Sequence, residues 1–345
     1  MKNQEQQERL AAPAPDGVKL ETPIGRGTRV FLAFVISCAV LVAAFAVSRI
    51  WAGRRASDQT EPATTDGGAS GTPTADEAPT QEPPLPTGAV PIRTVDLSGI
   101  GVRNETSHAI DAAALRALIG GDARSFEADL PVVLILHTHA QEGYRTDENA
   151  YLTGAVGDAI YTTDPTASVV AVGEALCRAL NRGGVPAIHC TAMHGEGGTL
   201  RGAYRSAADC IEAYMKKYPS IEYVIDLHRD GLLGEDGACL RTASPDGLAQ
   251  IMAVVGSDGA GDACPAWRSN LGLALCLADR LNAESAGSCR PASLRNATYN
   301  QELAPHSLLL EIGSAGNTVT EATEAAKRVG RVLADLIRNR PSDGT

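Results

Sequence analysis

Aromatic residues are scarce in this 345-residue chain, at 4% of the total, which argues against a stacking platform for unpaired bases. Excess basic charge is missing too. Lys and Arg number 30 against 41 Asp and Glu, giving a formal net charge of -11. Phosphate recognition depends on a basic surface that releases counterions, so no nucleic-acid partner is expected. No CxxC pair occurs among the eight cysteines, and an HExxH motif is absent. Zinc ribbons, thioredoxin-type redox sites and the helical metalloprotease site are thereby set aside. Cys38 lies in a long apolar run, which leaves Cys177, Cys190, Cys210, Cys239, Cys264, Cys276 and Cys289, an odd number, in the rest of the chain. Cys177 and Cys276 fall in helical patterns, where a buried thiol is the ordinary reading, and some of the others can pair as disulfides if the domain is external. No repeat of solenoid period is found.

The N-terminal third divides into three pieces. Residues 1–29 are polar, mixed in charge and aperiodic, and are read as a disordered tail. Residues 30–48, "VFLAFVISCAVLVAAFAVS", carry no charge; as a helix rising about 1.5 Å per residue they reach roughly 29 Å, close to the hydrocarbon thickness of a bilayer. A single membrane span is expected there. Arginines flank it on both sides, Arg26 and Arg29 before it and Arg49, Arg54 and Arg55 after it, so charge counting does not orient it. Ala44-Phe45-Ala46 resembles a signal-peptide cleavage site, but the long preceding region favours an uncleaved anchor. Residues 49–95 are rich in Pro, Thr and Ala, as in "TPTADEAPTQEPPLPTG", and are read as a linker that holds the following domain, residues 96–345, away from the membrane.

From residue 97 onward strands and helices alternate. Apolar runs at 131–137, 185–189, 222–228, 250–256 and 307–312 predict strands; amphipathic spacing predicts helices near 109–119, 168–182, 203–217, 268–285 and 318–338. The helix "SVVAVGEALCRALNRGG" opens at a suitable N-cap, Ser168, and stops at Gly183-Gly184, so the next strand can return parallel to the one before. The expectation is a single three-layer α/β domain, with a mostly parallel twisted sheet flanked by helices on both faces.

Ligands in such folds collect beyond the carboxyl ends of the strands. Three strand ends here are chemically loaded. "VVLILH" runs into His137, Thr138, His139 and Glu142; "IEYVIDLH" ends in Asp226, His228, Arg229 and Asp230; "SLLLEIG" carries Glu311 within an apolar run. Each such group costs desolvation unless it is paired or holds a metal. Strand alternation puts His137 and His139 on one side, and Asp226 and His228 on one side, so either histidine of the first pair is a candidate ligand. His139, Glu142 and His228 supply a zinc ligand set with an open fourth position, and Glu311 is the candidate for a carboxylate that takes a proton from water.

Blander readings compete. A strand-end histidine is ordinarily a hydrogen-bonded structural residue, and Glu311 can be the buried partner of an arginine. His189 and His194 are alternative ligands, though "HCTAMHGEGG" reads as a loop; His108 and His306 are expected at the surface or in turns. Arg229 is either solvated or able to meet a substrate carboxylate.

These blocks carry a resemblance. "VLILHTHAQEGY", "VVAVGEALCRALNRGGVPAIH", "YPSIEYVIDLHRDG", "WRSNLGLALCLADRL" and "YNQELAPHSLLLEIGSAGNTVTEATEAAKRVGRVLADLI" resemble, in order, successive segments of the stage II sporulation protein P family. The resemblance implies a membrane-anchored cell-wall hydrolase of endospore formers with a fold similar to zinc-dependent N-acetylmuramoyl-L-alanine amidases. It implies peptidoglycan as substrate, with a site at the sporulation septum, outside the cytoplasm, where the wall is thinned during engulfment. Stage II sporulation proteins D and M are the implied partners, and endopeptidase cleavage of cross-links is a second implied activity. Residue by residue, it implies zinc held by His139, Glu142 and His228, with Glu311 catalytic; His137 and Asp226 are then expected to orient the ligands and Arg229 to face the peptide. Where the family usually has Asp after its mid-domain histidine, this chain has His194-Gly195, and "YRSAAD" replaces a Ser-Arg pair. The alternatives are a wall-binding scaffold without catalysis, or a zinc endopeptidase or carboxypeptidase restricted to stem peptides.

Overall fold

The structure, a computed structural model, describes residues 89–146, 151–153, 161–194, 202–257 and 264–339. The tail 1–29, the apolar stretch 30–48 and the linker as far as residue 88 lie outside them. Among the described residues no helix is long and apolar enough to cross a membrane.

Seven strands form the main sheet: β2 (Val102–Asn104), β3 (Val133–Leu136), β5 (Ala187–His189), β6 (Tyr223–Asp230), β8 (Ile251–Gly256), β9 (Ala292–Arg295) and β10 (His306–Ser314). Their order is β2-β9-β8-β10-β6-β3-β5, parallel throughout except where β8 meets β10. A second sheet has the order β4-β1-β7, from β1 (Ala89–Val95), β4 (Tyr151–Thr153) and β7 (Cys239–Thr242). β1 starts seven residues before the boundary drawn at residue 96. Its Pro91 and the composition before it hide the strand from a periodicity reading, while β2, β7 and β9, three or four residues each, are too short to show a period.

Five helices cover this frame: α1 (Ala112–Ala117), α2 (Val169–Arg182), α3 (Ala203–Lys217), α4 (Trp267–Glu284) and α5 (Val319–Arg338). Local chemistry sets their starts. The Ser168 side chain accepts from Val170 N at the head of α2, and Thr318 and Glu321 form a capping box at the head of α5. After α2 the chain turns through Gly184 and returns as β5, parallel to β3 with Val133 opposite Ala187.

Alternation along the strands sorts the core into two. Val133, Ile135, Ile225, Leu227, Leu308, Leu310 and Ile312 face α2, α4 and α5, which pack on one another; Leu134, Leu136, Ile188 and Val224 face Ala207, Ile211 and Tyr214 of α3. Each fully buried Leu or Ile contributes about 1.5–3 kcal/mol, so both faces are held strongly. The result is a mixed α/β domain in three layers. Site residues Asp226, His228 and Glu311 alternate onto the α3 side, at the carboxyl ends of β6 and β10. His306 is not at the surface: it is buried at the start of β10 with its ring 4.9 Å from that of Tyr223, because β10 begins one residue earlier than the apolar run. His108 is half-buried, stacked on Trp267 at 4.6 Å.

Candidate metal centre

β3 ends at Leu136, and the chain then bends through a turn in which Glu142 N donates to His139 O at 2.9 Å. Thr138 fixes that turn to β6: its backbone N donates to Asp226 Oδ1 at 2.8 Å and its hydroxyl to Asp226 Oδ2 at 2.7 Å. The next strand over is held as well, since Tyr144 Oη donates to Ile312 O of β10 at 2.7 Å. Two pieces of chain 88 residues apart therefore meet with little freedom.

The turn brings His139, Glu142 and His228 together, each offering a donor atom within 4.8 Å of the others. His139 Nδ1 lies 3.4 Å from Glu142 Oε1, and His228 Nδ1 lies 3.2 Å from Glu142 Oε2. Donors at the corners of a tetrahedral zinc site, about 2.0–2.1 Å from the metal, stand about 3.3–3.4 Å apart. The donor spacing fits such an ion. On its far side His228 Nε2 sits 3.0 Å from Asp226 Oδ1, an ion-pair contact without the alignment of a hydrogen bond. That leaves Asp226 where a carboxylate supports a ligating imidazole from behind.

Electrostatics point the same way. Burial opposes the charge on His228, but the Asp226 and Glu142 carboxylates outweigh it and hold the imidazole well above its ordinary range. Burial likewise opposes the charge on Glu142, yet His228, the bond from His139 and the Arg229 charge pull it below the usual carboxylate range. Two carboxylates around one imidazolium leave the cluster net negative, so a divalent cation can replace the proton.

Glu311 lies directly across from His228 in the β10–β6 register, on the same face and about 4.8 Å away between strands. Burial is the main cause that raises its pKa, to about 8, with the Glu142 and Asp230 charges adding to it. Its Oε2 is buried with no hydrogen-bond partner among the described residues. The Arg290 charge opposes that rise, while its guanidinium pairs with Asp230 at 2.9 Å. Just beyond Glu311 the pairing is interrupted by a bulge, where Gly313 has φ 71° and a Cβ would come within 2.8 Å of Asn317 Oδ1. Only glycine suits that position.

A cavity of about 340 Å³ opens over the cluster, with His139, Glu142, His228 and Glu311 in its lining. Its walls include residues that sequence reasoning missed: Tyr161, Tyr204, Tyr299 and Arg295. Tyr204, in the first turn of α3, meets the His139 ring edge-on at 5.5 Å, and Asn300 Nδ2 donates to Tyr204 O at 2.8 Å. Tyr299 and Asn300 both hold positive φ, 53° and 58°. For a bulky tyrosine that backbone is uncommon, and it occurs here at the cavity wall. The only signal in the sequence is the "YNQELAPHS" block.

Two expectations need correction. His137 does not share a side with His139, because alternation stops where β3 stops. It turns beneath α2, where Nδ1 donates to Leu227 O at 2.8 Å and Nε2 accepts from His189 Nε2 at 2.8 Å. Gly173 makes room for the pair, since a Cβ there would come within 2.6 Å of the His137 ring. Burial, then the neighbouring His189, depresses His137 to about 3, so it is a neutral buried group. Of the two readings of Arg229, the solvated one falls, and the residue is in the cavity lining. It is buried, its Nε donates to Gly143 O at 2.9 Å and its backbone N donates to Glu142 Oε2 at 3.1 Å, so it braces the turn that carries Glu142.

Residues 57–334 match the family model described as stage II sporulation protein P. Stage II sporulation protein P of Bacillus subtilis (strain 168) is 24% identical over 218 residues, 60% of this chain and 51% of the relative, so the chain spans about half the length of the curated protein it matches. Similar solved structures include the CwlD amidase from Clostridioides difficile in complex with the GerS lipoprotein, at 12% identity over 59% of this chain and 95% of that one, TM-score 0.36. Another is the N-acetylmuramyl-L-alanine amidase Ami1 from Mycobacterium smegmatis, at 14% identity over 60% of this chain and 97% of that one, TM-score 0.34.

Proposed function

This chain belongs to the stage II sporulation protein P family, and from that premise we propose that it is a peptidoglycan hydrolase of sporulation that cleaves the amide between N-acetylmuramic acid and L-alanine. The observation that carries the reading is the Glu142 carboxylate standing 3.4 and 3.2 Å from the nitrogens of His139 and His228, with Glu311 across from His228. In this proposal His139, Glu142 and His228 hold zinc. Zinc bound there supplies Lewis acidity toward water and toward the scissile carbonyl.

The chain's own groups do the rest. Burial makes the Glu311 carboxylate more basic than usual, so in its ionised form it can take a proton from water as the oxygen attacks the carbonyl carbon. As the C–N bond breaks, Glu311 returns that proton to the departing amine of L-alanine. Asp226 keeps the His228 ring in its pose through the 3.0 Å contact. Tyr204 and Tyr299 form an apolar wall suited to the sugar or the peptide, and Arg295, half-exposed at the cavity, is better placed than Arg229 to meet a stem-peptide carboxylate. A membrane anchor at 30–48, a domain outside the cytoplasm and cooperation with stage II sporulation proteins D and M complete the proposal, resting on the family resemblance.

The test is digestion of intact peptidoglycan by the full chain, with and without chelator, followed by mass spectrometry of the released ends. Free stem peptides beginning with L-alanine, lost on chelation and restored by zinc, are expected. Cleavage only within peptides would replace the amidase with an endopeptidase, and binding without zinc-dependent product would leave a scaffold.

A further inference from the structure

A second cluster of metal-ligand type lies outside the catalytic cavity. Cys190 follows β5, His194 comes four residues later, and Cys210 is in the middle of α3; a donor atom of each lies within 4.8 Å of the others. All three are buried, and the two sulfurs are 3.2 Å apart. The histidine is the telling residue. It is 5% exposed, and its Nδ1 sits 3.1 Å from Ser206 Oγ, which fixes the ring. Its Nε2 is buried with no hydrogen-bond partner among the described residues. An imidazole held by one nitrogen, with the other left bare beside two thiols, is arranged as metal-ligating histidines are. A buried nitrogen without a partner is otherwise a cost to the fold.

We propose that Cys190, His194 and Cys210 bind one soft divalent cation of the zinc class, which clips the β5 end to α3. Sulfur ligands of a tetrahedral zinc stand about 3.8 Å apart. The 3.2 Å pair therefore opens by about half an ångström on loading, within reach of a small side-chain rotation. The clip has a consequence for the catalytic cavity without being part of it. Ser206 and Cys210 share α3 with Tyr204, whose ring abuts His139. Fixing α3 to β5 fixes that tyrosine.

Sulfur provides a readout that the His139, Glu142 and His228 set lacks, since that set contains none. Cobalt(II) is titrated into the reduced, metal-free full chain, and thiolate-to-cobalt absorption in the near ultraviolet is recorded. The proposal expects a band that saturates within two equivalents of cobalt in the wild-type chain, where the His139, Glu142 and His228 set competes for the metal, and with one equivalent in His228→Ala; it disappears in Cys190→Ser and Cys210→Ser and weakens in His194→Ala. No such band in the wild-type chain, which requires no variant to fold, would overturn the proposal. So would a count of reactive thiols in the unfolded, never-reduced protein that falls short by two and is restored by a reductant, with Cys190 and Cys210 mapped as the linked pair. The cobalt band stands or falls independently of hydrolysis, so failure of the amidase reading leaves it intact.

Discussion

His137 and His228 are both buried, both in or beside central strands of one sheet, and both surrounded by backbone of the same domain, yet their surroundings drive them in opposite directions. On the α3 side His228 sits between Asp226 and Glu142 and is held well above its ordinary pKa. On the α2 side His137 has a carbonyl, a second imidazole and the ring-shaped space left by Gly173, and it falls to about 3. Burial is the same force in both. Carboxylate company decides the sign. The lesson is that histidine in an apolar strand end says little about metal chemistry until the neighbouring carboxylates are placed: His228 has two within reach, whereas His137 meets a carbonyl and a second imidazole, and the one carboxylate on that side, Glu174, lies against His189 instead.

Removing His228 should have the largest effect. His228→Ala is expected to lose the metal held with His139 and Glu142 and to extinguish hydrolysis, with the far-ultraviolet circular dichroism of the folded chain retained; full hydrolysis by this variant would end the metal account. Next comes Glu311→Gln, which keeps the ligands and removes the base, so hydrolysis should fall by about 10²–10⁴-fold while zinc content is unchanged. Loss of zinc in that variant would show Glu311 to be a ligand instead. Asp226→Asn should act more mildly, weakening metal affinity by about 10–100-fold, as measured by competition with a chromophoric chelator.

The smallest effect belongs to His137 and concerns stability alone. His137 has its folded pKa depressed to about 3, so the unfolded chain binds the extra proton first, near its ordinary 6.5. Stability from this residue is fully present above about pH 6.5 and is lost as pH falls toward 3. Between pH 7 and pH 5 the wild-type chain should lose about 2 kcal/mol more than His137→Gln. Parallel denaturant midpoints at the two pH values test it, and identical slopes for the two proteins would contradict the neutral-histidine reading.

The same contrast explains what the sequence made legible. Helix positions emerged nearly to the residue, α3 at 203–217 and α5 at 319–338, because amphipathic spacing and caps such as Ser168 and Thr318 are local signals. The long core strands were visible as apolar runs, while β1, with Pro91, and the three-residue β2 carried no period to read. His139, Glu142, His228 and Glu311 could be nominated from strand ends. The separation of His137 from His139 could not be, because it depends on β3 stopping at Leu136, and a strand's last residue is set by where its partners stop rather than by its own side chains. Tyr204 and Tyr299 reach the cavity through α3 and a left-handed backbone, neither of which announces a site in sequence.

The most direct measurement is anomalous diffraction at the zinc edge from zinc-loaded crystals of the protein. The account predicts a peak between His139 Nδ1, the Glu142 carboxylate and His228 Nδ1, with Glu311 facing it. A peak at the His137–His189 pair, with none beside Glu142, would contradict it.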